Sequence, residues 1–478
     1  MLDRPDPPRK LLPAQGLSLQ GLHGSVKVPP AAAGLLRQVR AFVGPALLIS
    51  VGYMDPGNWG TDLQAGAQFR YGLLWVVVLA SLMAVVLQIL ATRLGIATGR
   101  DLAQACRDWY PRWTRLPNWA LAEIAIGACD LAEVLGSAVA LNLLFHIPIL
   151  WAVVITGADV LLLLAMQRMG MRWIEAVVGV LVATIAVCYA IELFVLPRIT
   201  PNLGEIGSAL LHSGLRQAGM ATVAIGIIGA TVMPHNLYLH SALVQSRVIR
   251  PDAASRRRAM QINALDTGVA LGLALLVNAA ILVLAALVFN LHSSLTVAGV
   301  TYDFRAGTDW IRVAYLTLAP LLGTAAASLL FAVALLASGQ SSTITGTLAG
   351  QVVMEGFLHW HVAPWLRRII TRALAILPAI LLIGLHGGGS VNDLLVLSQV
   401  VLALQLPFAM FPLLHFTSRQ RFVGAWASGR FLLAAGWTTA ILITAMDMYG
   451  LPEALGVAWR VIERARLRQG PGALPPSS

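Results

Sequence analysis

Gly52-Tyr53-Met54-Asp55-Pro56-Gly57-Asn58-Trp59 is the stretch on which the reading of this chain turns. It interrupts an apolar run with a carboxylate, a proline, a glycine and an amide in succession. Pro56 removes a backbone donor and its ring clashes with the preceding turn. Gly57 admits dihedrals that a helix does not use. Together they predict a helix unwound at this point. Unwound backbone at membrane depth is tolerated only where it is buried in protein or lines a water-filled cavity. A break here therefore points to a site.

The rest of the chain explains why the membrane is the right setting. Of its 478 residues, 58% are apolar and 12% charged. A soluble domain carries about 25% charged residues, and no soluble core hides this much apolar surface. A span needs about 20 apolar residues to cross about 30 Å of hydrocarbon. Eleven candidates are found, centred near residues 53, 84, 133, 158, 184, 230, 277, 328, 380, 402 and 440. The one near 380 is interrupted by Pro378 and ends at His386-Gly387-Gly388-Gly389. The expected class is thus an all-α membrane protein with 11 transmembrane helices.

Charge sets the orientation. The formal net charge is +11, but only Lys10 and Lys27 are lysines, and most arginines lie between apolar runs. That is the pattern of cytoplasmic loops and not of a nucleic-acid face. Arg100, Arg107, Arg112 and Arg115, then Arg168 and Arg172, then Arg247, Arg250 and Arg256 fall on one side, as do Arg367, Arg419 and Arg430. The other side holds Arg70, Arg198, Arg216, Arg305 and Arg312. The N-terminus is expected inside, and eleven spans place the C-terminus on the periplasmic side despite Arg460, Arg464, Arg466 and Arg468. Residues 1–38, polar and rich in proline and glycine, read as a disordered cytoplasmic tail without a signal peptide. Residues 451–478 form a second tail. Cys106, Cys129 and Cys188 have no metal-ligand spacing and read as inert small residues.

The sixth span repeats the device of the first: Ala230-Thr231-Val232-Met233-Pro234-His235-Asn236. Corresponding interruptions in two halves of a transporter point to a binding site near the midplane. Asp55 supplies a hard anionic oxygen and Asn58 an amide oxygen. Unwinding at Pro56, Gly57 and Pro234 frees carbonyls, with Gly52 and Ala230 the nearest candidates. Met233 adds a thioether. Oxygen ligands alone suit Mg²⁺ and Ca²⁺, whereas a soft sulfur favours later ions. The set points to Mn²⁺ or Fe²⁺ as substrate.

These segments resemble the signatures of the Nramp divalent-metal transporters. Asp55-Pro56-Gly57-Asn58 and Met233-Pro234-His235-Asn236 are similar to its two helix-break motifs. Gly339-Gln340-Ser341-Ser342-Thr343-Ile344-Thr345-Gly346-Thr347, running on to Met354-Glu355-Gly356, resembles a third. The likeness covers about residues 38–450. It implies a leucine-transporter-type fold with two inverted repeats of five helices and broken helices 1 and 6. The repeats would span residues 39–200 and 201–416, with helix 11 at 417–450. It also implies proton-driven metal uptake across a bacterial inner membrane, with Asp55, Asn58, Met233 and the Ala230 carbonyl as ligands. Gly52 replaces the alanine usual in the family, and Gln399 matches a position that joins the site in some conformations.

Ionisable groups inside spans are costly and need partners or water. Asp130 and Glu133, three apart, share a helix face, and Arg372 is the expected partner. The resemblance assigns Asp55, Asp130, Glu133 and His235 to a proton route; His240 is a further candidate. Asp159, Glu192 and Asp266 read as near-interface residues. Rival readings are an organic-solute carrier on the same fold, a Mg²⁺ carrier, a channel and an intramembrane metalloenzyme. Asp55 and Met233 disfavour the first two. Breaks in two repeats favour alternating access over a channel, and no hydrolytic motif appears for an enzyme. No cofactor and no obligate protein partner are expected beyond metal ions, protons and the lipid bilayer.

Overall fold

Proline, glycine and aspartate place the first helix boundaries. In the computed structural model, α1 (Leu35–Phe42) and α2 (Pro45–Val51) lead to the unwound residues 52–55, after which α3 (Pro56–Phe69) begins. Pro56 occupies the first turn, where its missing N–H costs nothing, and Asp55 caps the helix by accepting the N–H of Asn58 at 2.9 Å. The long helix α4 (Leu74–Thr98), the short α5 (Leu102–Trp109) and the long α6 (Arg115–Phe145) follow, then α7 (Ile149–Thr156), α8 (Met171–Phe194) and α9 (Leu203–His212). The second break separates α10 (Met220–Thr231) from α11 (Pro234–Leu243), again with proline at the start and an extended residue, Met233, before it. The chain continues through α12 (Ala253–Val288), α13 (Trp310–Leu322), α14 (Ala325–Leu358), α15 (Val391–Ser418), α16 (Gln420–Val423) and α17 (Arg430–Leu467). The structure describes residues 18–19, 23–29, 34–157, 171–194, 201–212, 214–215, 217, 219–290, 294–297, 300–303, 310–322, 324–358, 366, 370, 373, 377, 380 and 391–467.

Eight helical segments among the described residues are long and apolar enough to cross a membrane. The broken first span adds the pair α2–α3. The expected spans near 158 and 380 fall largely outside the described residues. The segment Met220–Ser246 is the most enclosed, whereas α8 and α17 keep most of their surface outward. Leu82, Val180, Val269, Leu276 and Ile441 lie exposed on the outer helix faces. In water such surface would be penalised; against lipid it is matched. The core is therefore built around the two breaks, with α6 packed most extensively on α14, and α3 on α12.

The arginine-rich end is tied down by two ion pairs on Glu175, of which the one with Arg247 is buried. Arg247 donates to Glu175 Oε1 at 2.7 Å and Arg172 to Glu175 Oε2 at 2.9 Å. Both guanidiniums also donate to the Val43 carbonyl at 3.0 Å. The start of α2 is thus fastened to α8 and to the end of α11. Part of the segment expected to be disordered is ordered instead. Val26–Lys27 (β1) pairs in parallel with Arg247–Val248 (β2), and Leu19 N–H donates to Glu355 at 2.9 Å. A second pair, β3 (Ser294–Val297) and β4 (Val300–Asp303), forms an antiparallel hairpin. The last helix also runs through Leu467, past the expected start of the C-terminal tail.

Candidate metal site

Three of the expected ligands converge through one side chain. Asn58 Nδ2 donates to Asp55 Oδ1 at 2.7 Å and to the carbonyl of Ala230 at 3.0 Å. Its Oδ1 accepts from Thr231 Oγ1 at 3.2 Å and from Asn278 Nδ2 at 3.4 Å. The first break and the end of α10 are therefore joined at Asn58. The amide nitrogen stands between two oxygens that a dication would also seek. A half-turn of the amide would present Oδ1 there instead, with the Thr231 hydroxyl switching from donor to acceptor and the 3.4 Å bond from Asn278 given up while Asn278 keeps its bond to the Tyr53 carbonyl. Asp55 and Asn58 are buried, and Asp55 Oδ2 has no hydrogen-bond partner.

The carbonyls freed by unwinding explain how the break survives. Tyr53 O accepts from Asn278 Nδ2 at 2.8 Å. Met54 O accepts from Trp59 Nε1 at 3.2 Å and from Ser338 Oγ at 2.5 Å. Helices α12 and α14 thus supply the donors that the helix no longer receives from itself. Gly52 is brought close to Asn236 of the second break, and a Cβ there would strike its amide. Gly57 likewise packs on the Gln399 amide, and Gly229 on the Gln399 backbone carbonyl. Gln399 thus lies against both breaks, buried, with Oε1 unpartnered. Gly52 makes no described contact with Asp55 or Met233.

Met233 is fully buried in a small cluster with Ala125, Cys129 and Leu402. Cys129 is the residue the sequence reading missed. Its Sγ lies 3.4 Å from Glu133 Oε1 and 3.7 Å from His235 Nε2. Ser342 Oγ donates to the same Glu133 oxygen at 2.7 Å. A buried chain therefore runs from His235 through the thiol to Glu133 and on to the third motif on α14. Neither spacing nor composition signals this, because Cys129 and His235 are brought together only by the packing of α6 on α11. Asp130 is buried one residue along α6. His240 sits elsewhere: its Nδ1 pairs with Gln88 Oε1 at 2.9 Å, and Gln88 donates to Tyr53 Oη at 2.8 Å. Arg372 lies outside the described residues. Glu192, expected near an interface, is buried at 0% exposure, because α8 turns it inward with Tyr189.

Known proteins carry the same framework. A divalent metal cation transporter from Nostoc sp. is 49% identical over 440 residues, covering 92% of this chain and 96% of that protein. A protein of the same name from Agrobacterium fabrum is 48% identical, covering 92% and 93%. The crystal structure of a manganese transporter from Eremococcus coleocola superposes with a TM-score of 0.81 at 37% identity, covering 94% of this chain and 97% of that one. A nucleobase-cation-symport-1 transporter in a closed conformation shares the fold, with a TM-score of 0.57 at 15% identity. The architecture is the expected leucine-transporter type, an all-α membrane fold. The family model described as natural resistance-associated macrophage protein-like matches residues 46–453, the part of the chain that holds both breaks and all the expected ligands, and the chain belongs to that family, Nramp.

Proposed function

We propose that this chain is a proton-coupled secondary transporter that imports divalent transition-metal ions, Mn²⁺ and Fe²⁺, across the plasma membrane by alternating access. The observation that carries the reading is the meeting of Asp55, Asn58 and the Ala230 carbonyl at two helix breaks, the second of which carries Met233 immediately before α11. One carboxylate, neutral oxygens and one thioether form a mixed hard and soft set that suits a first-row dication better than Mg²⁺ or Ca²⁺. The relatives, a divalent metal cation transporter and a manganese transporter, support this class of substrate.

Coupling follows from competition. A carboxylate that receives a dication releases any proton it held. Asp55 is the group that would exchange the two. His235, Asp130 and Glu133 would carry the proton away from the ligand set, with Cys129 bridging His235 and Glu133. The N-terminus is cytoplasmic in this reading and the arginine-rich end faces inward. Residues 39–200 and 201–416 form the two repeats that move against each other. No cofactor is required, because the reaction moves ions without breaking bonds.

Tracer uptake tests the reading. Proteoliposomes loaded with the protein should accumulate ⁵⁴Mn²⁺ under an inward acid gradient, with a large excess of Mg²⁺ competing poorly. Asp55→Ala should abolish uptake. Accumulation at the unaltered rate in that variant would refute the ligand assignment.

A further inference from the structure

The closing residues of the third motif, Met354-Glu355-Gly356 at the end of α14, make no described contact with the metal site. What they hold lies at the arginine-rich end. Gly356 comes so close to α5 that a Cβ there would press on Ala103, and its carbonyl accepts from Arg107 Nη1 at 2.6 Å. Glu355 is buried and accepts twice. Its Oε1 takes a bond from Gln351 Nε2 at 2.9 Å, and its Oε2 takes the Leu19 N–H at 2.9 Å, 336 positions away in the chain. Beside Leu19, Ser18 Oγ accepts from Gln104 Nε2 of α5 at 3.3 Å.

The same N-terminal segment then reaches the helix of the second break. Gly24 N–H donates to the Gln245 carbonyl, just past α11, at 3.0 Å, and Val26–Lys27 pairs with Arg247–Val248. Val28 packs on the cluster of Phe42, Ile96 and Val244. Helix α11 is itself tied to α5, because Ser241 Oγ accepts the Leu102 N–H at 2.9 Å. Ser18, Leu19 and residues 23–28 therefore lie across the ends of α5, α11 and α14. Leu19 is buried with a φ of 54°, a left-handed conformation that is costly for a bulky side chain. Such a residue persists only where its surroundings over-determine it. The remaining contacts are few. A two-residue strand pair is marginal by itself, and a single hydrogen bond contributes little net. The segment precedes α1, so its release interrupts no helix.

We propose that Ser18, Leu19 and residues 23–28 form a latch on the inner face, clasped by Glu355, which holds the ends of α5, α11 and α14 together and lets go each time the carrier opens inward. The proposal rests on the alternating-access reading. In that reading α5 belongs to one repeat, and α11 and α14 to the other. Contacts that cross between the repeats at the inner end cannot all survive when the two rock apart there. Contacts made in one of two states shift the balance toward that state by their own strength. Glu355 is thus a positioning residue, acting through the Leu19 amide.

Two measurements on the full chain test the latch. Alkylation of the native Cys106, which is 2% exposed on α5, reads how often the inner end opens and is followed by mass spectrometry of its peptide. Glu355→Ala leaves the Leu19 N–H without its acceptor and should raise the alkylation rate about tenfold. Glu355→Gln keeps an oxygen there and should leave the rate unchanged. Equal rates in all three proteins overturn the latch. An equal rise at Cys188, buried in α8, would show general loosening and also overturns it. In the second measurement, Ser18→Cys and Gln104→Cys are joined by a short reducible bis-methanethiosulfonate linker. The link should stop ⁵⁴Mn²⁺ uptake into proteoliposomes, and dithiothreitol should restore it. Uptake that continues through the link shows that the segment is never released, and the proposal fails. Absence of Mn²⁺ transport by the unaltered protein is a different result: it removes the carrier reading, whereas the Cys106 rates need no transport.

Discussion

Met233 and Cys129 are two sulfur atoms in one buried cluster, and they make different predictions. Met233 is read as a ligand, so its loss should change which ion is accepted more than whether one is. Met233→Ala is expected to weaken Mn²⁺ binding about tenfold, or about 1.4 kcal/mol, and to let Ca²⁺ or Mg²⁺ compete where they did not. Competition assays on ⁵⁴Mn²⁺ uptake measure this, and unchanged selectivity would contradict the thioether's role. Cys129 is read as a bridge between His235 and Glu133. Serine at this position keeps a donor, whereas valine keeps the volume and loses it. Cys129→Val should slow metal-driven proton entry about tenfold, followed with a pH-sensitive dye inside the vesicles, and Cys129→Ser should not. The positions of Asp55, Asn58 and Met233 at the breaks were legible in the sequence because proline announces each break. Cys129 was not, because a cysteine in an apolar run has the same appearance whether it packs or bridges.

At the scale of elements, two breaks are held open by neighbours that come very close. Gly136 of α6 lies on the Pro56 ring, where a Cβ would collide. Overpacking of this kind costs about 1–3 kcal/mol, and here it would push α6 away from the first break. Gly136→Ala should therefore lower the melting temperature of the purified protein and reduce uptake together; a variant that melts and transports as the unaltered protein does would show that α6 does not support the break. The start of each downstream helix was readable from Pro56 and Pro234. The partners of the unwound carbonyls were not. Ser338 and Asn278 lie hundreds of residues from Met54 and Tyr53 in the chain, and only the tertiary packing aims their donors at those oxygens.

Across the whole molecule, the arginine-rich end is closed by charge. Arg247 is 4% exposed, and burial pushes its guanidinium below its ordinary range, with the Glu175 carboxylate as the largest opposing influence. Removing one member of a buried pair leaves the other uncompensated, at about 3–5 kcal/mol. Glu175→Ala should free the segment between α1 and α2, seen as a lower melting temperature and as faster proteolysis near residues 40–44. Equal protease resistance in the two proteins would show that the ion pairs do not hold this end. The same network draws in Val26–Lys27 through its pairing with Arg247–Val248, which composition alone assigned to a loose tail.

What the sequence determined by itself was the solvent, the helical class, the two interruptions and the side-chain types standing at them, because each follows from residue type and local spacing. Apolar runs of membrane length need lipid, and proline beside glycine cannot continue a helix. What only the tertiary structure decided was which distant groups meet: Asn58 with the Ala230 carbonyl, Cys129 with His235, and Asn278 with the Tyr53 carbonyl. The reason is physical. A buried polar group is satisfied by whatever the packing of other helices sets opposite it, and that partner leaves no periodic trace along the chain.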